Sequence, residues 1–395
     1  MRIALIIDDY LPESQKSGAQ LMHDLACCLV SKGHNVSVIT PTSSLKQRYT
    51  TEYLDSVTIY RFRSGPIKNI NKIIRAVNET LLSLRAIRNL KQVLQDCPHD
   101  LIVYYSPSIF WGGLVWYLKR IWKCRSYLVL RDIFPQWAVD SGLIFRRSPI
   151  YCYFKLFEHI SYRVADRIGV QTPGNLNYFQ KYSNETREKL EVLYNWAKER
   201  NKEYLSGLWR EKLGLQGKVI FFFGGNFGHA QDMMNIIRLA ANLKNRSEAH
   251  FLLVGKGDEV FLIENEIKAQ GLTNLTFYPS VPAETYFQML SETDIGLFSL
   301  HREHNTQNVP GKLLGYMDYG LPILGSINPG NDVQTIIQGH EAGLVTVNGD
   351  DIGFTKNALK LLDDEQYRKR LGGNGKRMLR EVFSVERTAE QIINM

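Results

Sequence analysis

Several cationic side chains stand where an apolar run gives way to a loop or a new helix. Lys256 closes the run Leu253-Val254-Gly255-Lys256, and Lys312 opens a helical stretch in Val309-Pro310-Gly311-Lys312-Leu313-Leu314. His301 and Arg302 follow the apolar segment Ile295–Ser299. If those runs are parallel strands, their carboxyl ends share one edge of a sheet, and cations there converge on one crevice. The chemistry they suit is the binding of a diphosphate. A positioned ammonium stabilises a departing phosphate most strongly as its charge develops. A lysine at any one such place is ordinarily just solvated, so the convergence carries the argument.

Backbone donors join these cations. Val219-Ile220-Phe221-Phe222-Phe223-Gly224-Gly225-Asn226-Phe227-Gly228-His229-Ala230-Gln231-Asp232 reads as a buried strand, a glycine turn and a helix entry. Glycines let the backbone approach a ligand closely, and free N–H groups at a helix start favour negative charge. The competing interpretation is a tight turn that needs glycine and binds nothing.

Other nucleotide chemistries fit less well. A dinucleotide-binding GxGxxG must follow a strand directly. After the first strand come only Asp8-Asp9-Tyr10, and Gly255-Lys256-Gly257 has Val260 at its third glycine position. No GxxxxGK[ST] loop occurs, and no DxD pair is present to hold a divalent ion beside a diphosphate. The expectation is therefore a site with no metal and no cofactor, where amides and ammonium groups meet the negative charge.

The elements that position these groups fall into two series. Strand patterns at Arg2–Ile7, Val36–Thr40, Val57–Phe62, Leu101–Tyr105, Tyr127–Leu130 and Arg167–Val170 alternate with helical ones, the first from Ser17 to Ser31. A polar stretch, Asn195 to Gly217, is the expected linker. A second series follows, with strands at Val219–Phe223, His250–Val254, Leu275–Tyr278, Ile295–Ser299, Pro322–Leu324 and Leu344–Val347. Repeated βα units imply parallel sheets covered on both faces. The expected fold class is α/β, with two Rossmann-like doubly wound domains facing a central cleft. The expected domains are residues 1–195 and 196–376, with 377–395 a helix packing back on the first.

Composition agrees with a chain of ordinary globular domains: 44% hydrophobic and 22% charged residues. Five cysteines form no CxxC pair, which argues against a zinc site or a disulfide framework and for a reducing cytosol. The N-terminal apolar run is too short for a signal peptide, and Ile109–Leu118 is too short to span a bilayer. The net charge of +8 is uneven: residues 1–195 carry 26 Lys+Arg against 16 Asp+Glu, the remainder 22 against 24. Between Arg61 and Lys91, eight basic residues accompany one acid, beside Ile70, Ile73, Ile74, Val77, Leu81 and Leu84 at helical spacing. Phe110, Trp111, Trp116, Lys119, Arg120, Trp122 and Lys123 form a second aromatic-basic group. Both suit an anionic membrane surface, the alternative being a domain core with a solvated basic face.

The ordered set of motifs resembles the large retaining glycosyltransferase family called family 4, over nearly the whole chain. Val281-Pro282-Ala283-Glu284 with Thr293-Asp294-Ile295 is similar to its "V-P-x-x-E…A-D-V" block, and Leu193-Tyr194-Asn195-Trp196 to its interdomain junction. Arg131-Asp132-Ile133-Phe134-Pro135, Gly225-Asn226-Phe227-Gly228 with Gln231, and Pro310-Gly311-Lys312-Leu313 with Tyr316-Met317 resemble its O-antigen and capsule subgroup. Gly311–Met317 is most similar to the subgroup's N-acetyl-L-fucosamine transferases. The resemblance implies the two-domain GT-B fold and a UDP-sugar donor. It also implies a polyprenyl-diphosphate-linked saccharide acceptor and a place on the inner face of the cytoplasmic membrane, with no nucleic acid bound.

By the same resemblance, Gly18, Gly225, Asn226, Gly228, Gln231, Lys256, Ser280, Val281, His301, Gln307, Lys312 and Leu313 are donor-binding positions, and Asp132 and Lys312 are catalytic. Departures are plain. The family's glutamate pair, eight positions apart, falls on Gln307 and Gly315, so ribose recognition passes to Gln307 or to backbone near Leu313. Asp132 stands where the family often has a catalytic histidine, and could deprotonate the acceptor or merely cap the turn before Pro135. Two other functions compete: a UDP-sugar 2-epimerase of similar architecture, and a noncatalytic nucleic-acid binder that uses the basic half.

Overall fold

Near-continuous apolar runs form strands buried on both faces, and eight strands make a first sheet. They are β1 (Arg2–Ile6), β2 (Asn35–Thr42), β3 (Tyr49–Leu54), β4 (Val57–Arg63), β5 (Leu101–Tyr105), β6 (Arg125–Val129), β7 (Arg167–Val170) and β8 (Leu190–Val192). Their order is β3-β4-β2-β1-β5-β6-β7-β8, parallel throughout except for β3 against β4. A second sheet holds β9 (Val219–Asn226), β10 (Ala249–Lys256), β11 (Leu275–Pro279), β12 (Ile295–Ser299), β13 (Ile323–Ile327) and β14 (Gly343–Val347). It is wholly parallel, in the order β11-β10-β9-β12-β13-β14.

This computed structural model describes residues 1–14, 16–68, 70–140, 142–182, 184–200, 204, 207–303 and 309–395. They divide into Met1–Ala197 with Val385–Met395, and Lys198–Ser384. Apart from the antiparallel β3–β4 pair at one edge, the parallel strand order reverses between β1 and β5 in the first unit's sheet and between β9 and β12 in the second's. The crevice outside the carboxyl ends at such a reversal is where doubly wound sheets bind ligands.

The expected boundary at residue 377 moves. Arg377 lies inside the helix Glu365–Val382, which buries Leu371, Met378 and Leu379 in the second unit. The return to the first unit starts at Val385. Helix Val385–Ile393 buries Val385, Ala389 and Ile392 in the same core as Leu25 and Leu29 of helix Ser17–Ser31. Gln391 donates to the Glu191 carboxylate (2.8 Å) and to the Val192 carbonyl (2.9 Å), and Lys32 pairs with Glu390 at 2.7 Å.

The expected linker is also more structured than its composition suggests. Trp196 is buried in the first core, with its indole N–H donating to the Leu21 carbonyl at 2.8 Å. In the second unit the short helix Leu208–Lys212 is anchored by Glu292, which accepts from the Trp209 and Arg210 amides at 2.9 Å each.

Candidate functional site

In the second unit the carboxyl ends of β9 and β10 meet so closely that only glycine fits. A Cβ on Gly255 would lie 1.8 Å from the Gly225 carbonyl oxygen, and Gly225 itself has φ +124°. The pairing register sets Gly255 against Gly225 and Lys256 against Asn226. Lys312, at the first position of helix Lys312–Asp318, reaches the same place: its Nζ is 3.2 Å from the Phe223 ring centroid and 3.8 Å from where a Cβ on Gly225 would sit.

Loss of water around Lys312 pushes its pKa well below that of an ordinary lysine. Among the described residues no carboxylate pairs with it. A desolvated ammonium over an aromatic face gains some cation–π attraction, yet stays costly until an anion supplies the counter-charge. The structure thus brings Gly225 and Lys312 together at the reversal point.

The remaining predicted residues are distributed along that edge. Asn226 donates to the Gln231 side chain at 3.3 Å, so these two amides serve each other. Lys256 is exposed. His301 follows β12 with its ring 4.4 Å from that of His229, and its amide donates to the Ala230 carbonyl at 2.9 Å. Ser280 is exposed and Val281 half-buried, just beyond β11. Gln307 lies outside the described residues.

Two expectations need correction. Leu313 is 1% exposed and its N–H donates to the Pro310 carbonyl at 3.0 Å, so neither its side chain nor its amide is free for a ribose. Nor does the glycine turn run straight into an α-helix. A 3₁₀ turn, His229–Gln231, intervenes, and Asp232 in left-handed conformation (φ 44°) precedes helix Met233–Asn242. Its carboxylate accepts from the Asn348 amide at 2.8 Å.

In the first unit, Gly18 starts helix Ser17–Ser31, and a Cβ there would lie 3.1 Å from the Tyr105 hydroxyl. Tyr105 ends β5, and burial pushes its pKa up to about 12. Asp8, just beyond β1, faces the same reversal point and is pushed up in pKa by burial. This acid was overlooked in the sequence because a carboxylate after an apolar run reads simply as the end of a strand. Its neighbour Asp9 is held by the Ser14 hydroxyl (2.7 Å), by Lys16 (3.9 Å) and by Lys68.

Asp132 lies beyond β6 and is exposed. The surrounding protein removes enough water to raise its pKa, with Arg131 opposing. Arg131 is buried and donates to the Leu193 (2.7 Å) and Tyr194 (3.1 Å) carbonyls; its guanidinium lies 5.2 Å from the Trp196 ring centroid. Burial lowers its pKa to about 10. Arg131 therefore ties β6 to the end of the unit, leaving the adjacent Asp132 as the accessible group.

One set of described residues has metal-ligand geometry: His23, Cys27 and Asp55, with His23 Nε2 2.9 Å from Asp55 and 3.5 Å from Cys27. It sits on helix Ser17–Ser31 and the turn between β3 and β4, with His23 also bonded to the Tyr10 hydroxyl at 2.8 Å.

The basic and aromatic groups separate into two kinds. Ile73 (75%), Ile74 (54%) and Val77 (53%) are exposed on helix Lys72–Thr80, so this stripe is not core. Arg61 does not belong to that face: it is 1% exposed and bonded to Glu52 at 2.7 Å. Phe110, Trp111 and Trp122 are likewise core residues, and only Trp116 of that group's rings is largely exposed, with Arg120 5.0 Å from its ring centroid.

Two family matches tile the chain: "Glycosyltransferase Family 4" over residues 18–198 and "Glycosyl transferases group 1" over residues 207–378. The chain belongs to these glycosyltransferases. It is 26% identical over 266 residues to the probable glycosyltransferase WbjE of Pseudomonas aeruginosa, a match that takes in 65% of this chain and 64% of that one. Over its full length it is 21% identical to the O-antigen chain mannosyltransferase C of Escherichia coli, covering 98% of that protein. The fold is that of Anabaena HepE, solved in complex with UDP and glucose: TM-score 0.68 at 14% identity, covering the whole of this chain and 98% of that one.

Proposed function

We propose that this glycosyltransferase moves a sugar from a UDP-sugar to a polyprenyl-diphosphate-linked saccharide in the synthesis of a surface polysaccharide. The observation that carries the donor half is Lys312, a desolvated ammonium beside the glycine pair at the β9–β12 reversal point. As the anomeric bond breaks, negative charge grows on the leaving diphosphate, and Lys312 stabilises it there. Lys256 contributes further positive potential, and Gly225 lets the phosphates approach the backbone, while the Phe227 amide is already used by the Lys256 carbonyl at 2.9 Å. In this reading amides and ammonium groups meet the charge, so EDTA should leave turnover unchanged. HepE, of the same fold, was solved with UDP and glucose bound, which supports a uridine donor.

The acceptor half belongs to the first unit. Asp132 takes the proton of the acceptor hydroxyl as that oxygen attacks the anomeric carbon. The exposed apolar stripe of helix Lys72–Thr80, flanked by Lys72 and Arg75, lies in the interface of an anionic leaflet. No helix among the described residues is long and apolar enough to cross a membrane, and the contact in this reading is peripheral. The names of WbjE's neighbour in this comparison, the O-antigen mannosyltransferase, and of the subgroup itself support a polysaccharide product; Gly311–Met317 favours N-acetyl-L-fucosamine as the sugar.

The test is a thermal-shift screen across nucleotide diphosphates and their sugars. UDP and one UDP-sugar should raise the unfolding midpoint, in the presence or absence of EDTA. A screen in which no uridine nucleotide binds overturns the proposal. Release of UDP without any acceptor would instead favour a UDP-sugar epimerase.

A further inference from the structure

An open pocket of about 440 Å³ lies at the carboxyl edge of the first sheet. It is lined by Gln136, on the segment after β6, by Tyr182, beyond the helix after β7, and by Arg146, Arg147, Tyr151 and Lys155. Lys155 is fixed from below: its ammonium bonds Glu158, which is fully buried, and donates to the Tyr182 hydroxyl at 2.7 Å. Glu158 also accepts from the hydroxyls of Tyr182 (3.2 Å) and Tyr162 (3.3 Å). Arg146 and Arg147 are exposed, and among the described residues neither pairs with a carboxylate. Among the described residues, Arg146, Arg147 and Lys155 set three cations against the one acid Glu158.

Large apolar side chains are exposed on the same loop and helix. Leu143 (66% exposed) and Phe145 (82%) precede the arginines, and Ile150 (52%) and Leu156 (56%) stand on helix Pro149–Val164. The hydroxyls of Tyr153 on that helix and Thr80 are bonded, which ties helix Pro149–Val164 to helix Lys72–Thr80. A cationic pocket whose arginines directly follow the exposed Leu143 and Phe145 matches a molecule with an anionic head and a hydrocarbon tail. A soluble phosphate would have no use for those apolar side chains.

We infer that this pocket holds the diphosphate of a polyprenyl-linked acceptor, with Arg146 and Arg147 on its oxygens and the first prenyl units on Phe145 and Leu143. This rests on the proposed transfer to a lipid-linked saccharide, and it locates the anchor of that substrate on the same sheet edge as Asp132. Arginine forks suit adjacent phosphate oxygens better than a dispersed anionic surface does.

The test uses the full-length chain and neutral phosphatidylcholine vesicles carrying either polyprenyl diphosphate or phosphatidylglycerol at matched charge. The wild type should float preferentially with the diphosphate vesicles. R146A/R147A should bind them at least about tenfold more weakly, with its UDP-induced thermal shift and its ligand-free midpoint unchanged, since neither arginine supports the fold. F145S should weaken vesicle binding while leaving binding of inorganic pyrophosphate intact. Equal flotation with both vesicle types, or no effect of R146A/R147A, overturns the inference. Loss of pyrophosphate binding in R146A/R147A without any vesicle preference would assign the pocket to a soluble phosphate and overturn it too. A wild type that binds no UDP would instead remove the proposed transferase reaction beneath it.

Discussion

Lys312 works against the stability of the fold it serves. Its pKa is depressed from 10.5 by burial. Between that depressed value and 10.5 the unfolded chain holds more protons than the folded one, so stability rises with pH across the window. Below the window the penalty is present in full. Lys312→Met should therefore raise the ligand-free unfolding midpoint at pH 7 and flatten its alkaline rise, while cutting turnover about a hundredfold or more, the usual cost of one lost transition-state donor. Unchanged turnover in a stabilised variant would strip Lys312 of its catalytic role. Asp132→Asn should lower turnover about 10²–10⁴-fold at saturating donor if it is the base. Because its carboxyl pKa is raised, wild-type activity should fall on acidification above the usual carboxylate range. Full activity in the variant would leave Asp132 a surface residue. At this scale Lys312 and Gly225 were legible because strand ends converge. Asp8 and Arg146 were not, because single charges in loops carry no spacing signal. Leu313 misled because its motif position does not reveal that its amide is already used by Pro310.

Elements with strong apolar runs were readable nearly to the residue, as β5, β7 and β12 show. Two strands escaped. Tyr49–Leu54 alternates half-buried with exposed residues at the sheet edge and is rich in threonine, and Leu190–Val192 has only three residues. Neither shows the continuous apolar signature of a central strand. Periodicity marked the stripe of helix Lys72–Thr80 but could not say which way it faced; the structure turns Ile73, Ile74 and Val77 outward. Replacing all three by serine should abolish flotation with anionic liposomes at low salt and leave the unfolding midpoint unchanged, as removal of exposed groups costs little. A large drop in midpoint would return the stripe to the core. Helix Val385–Ile393 is the opposite case. Ile392→Ala empties a fully buried site and should destabilise the first unit by ~2–5 kcal/mol, measured by denaturant unfolding with a probe in that unit.

At the scale of the whole molecule, two βα series predicted two doubly wound units, and strand order then located both reversal points. The boundary at residue 385 was illegible because helix Glu365–Val382 and its successor share one helical composition. Each unit also has its own acid sensor. Burial lowers His99 in the first and His250 in the second from 6.5 to about 4. The folded state thus binds fewer protons between those values, so stability falls as pH drops from about 6.5 to about 4. H99Q should blunt the acid loss of the first unit only, and H250Q that of the second. Parallel loss in both variants, followed by unit-specific fluorescence, would mean that carboxylates dominate acid unfolding.

The polypeptide crosses from one unit to the other at Ala197 and comes back at Val385. A hybrid with a relative made by a single splice near Ala197 would take the second unit and the returning tail together. Here that splice would seat a foreign helix in the trough lined by Leu25 and Leu29. A workable hybrid takes three pieces, with the tail following the acceptor half, and a one-cut hybrid should be recovered mostly as insoluble material.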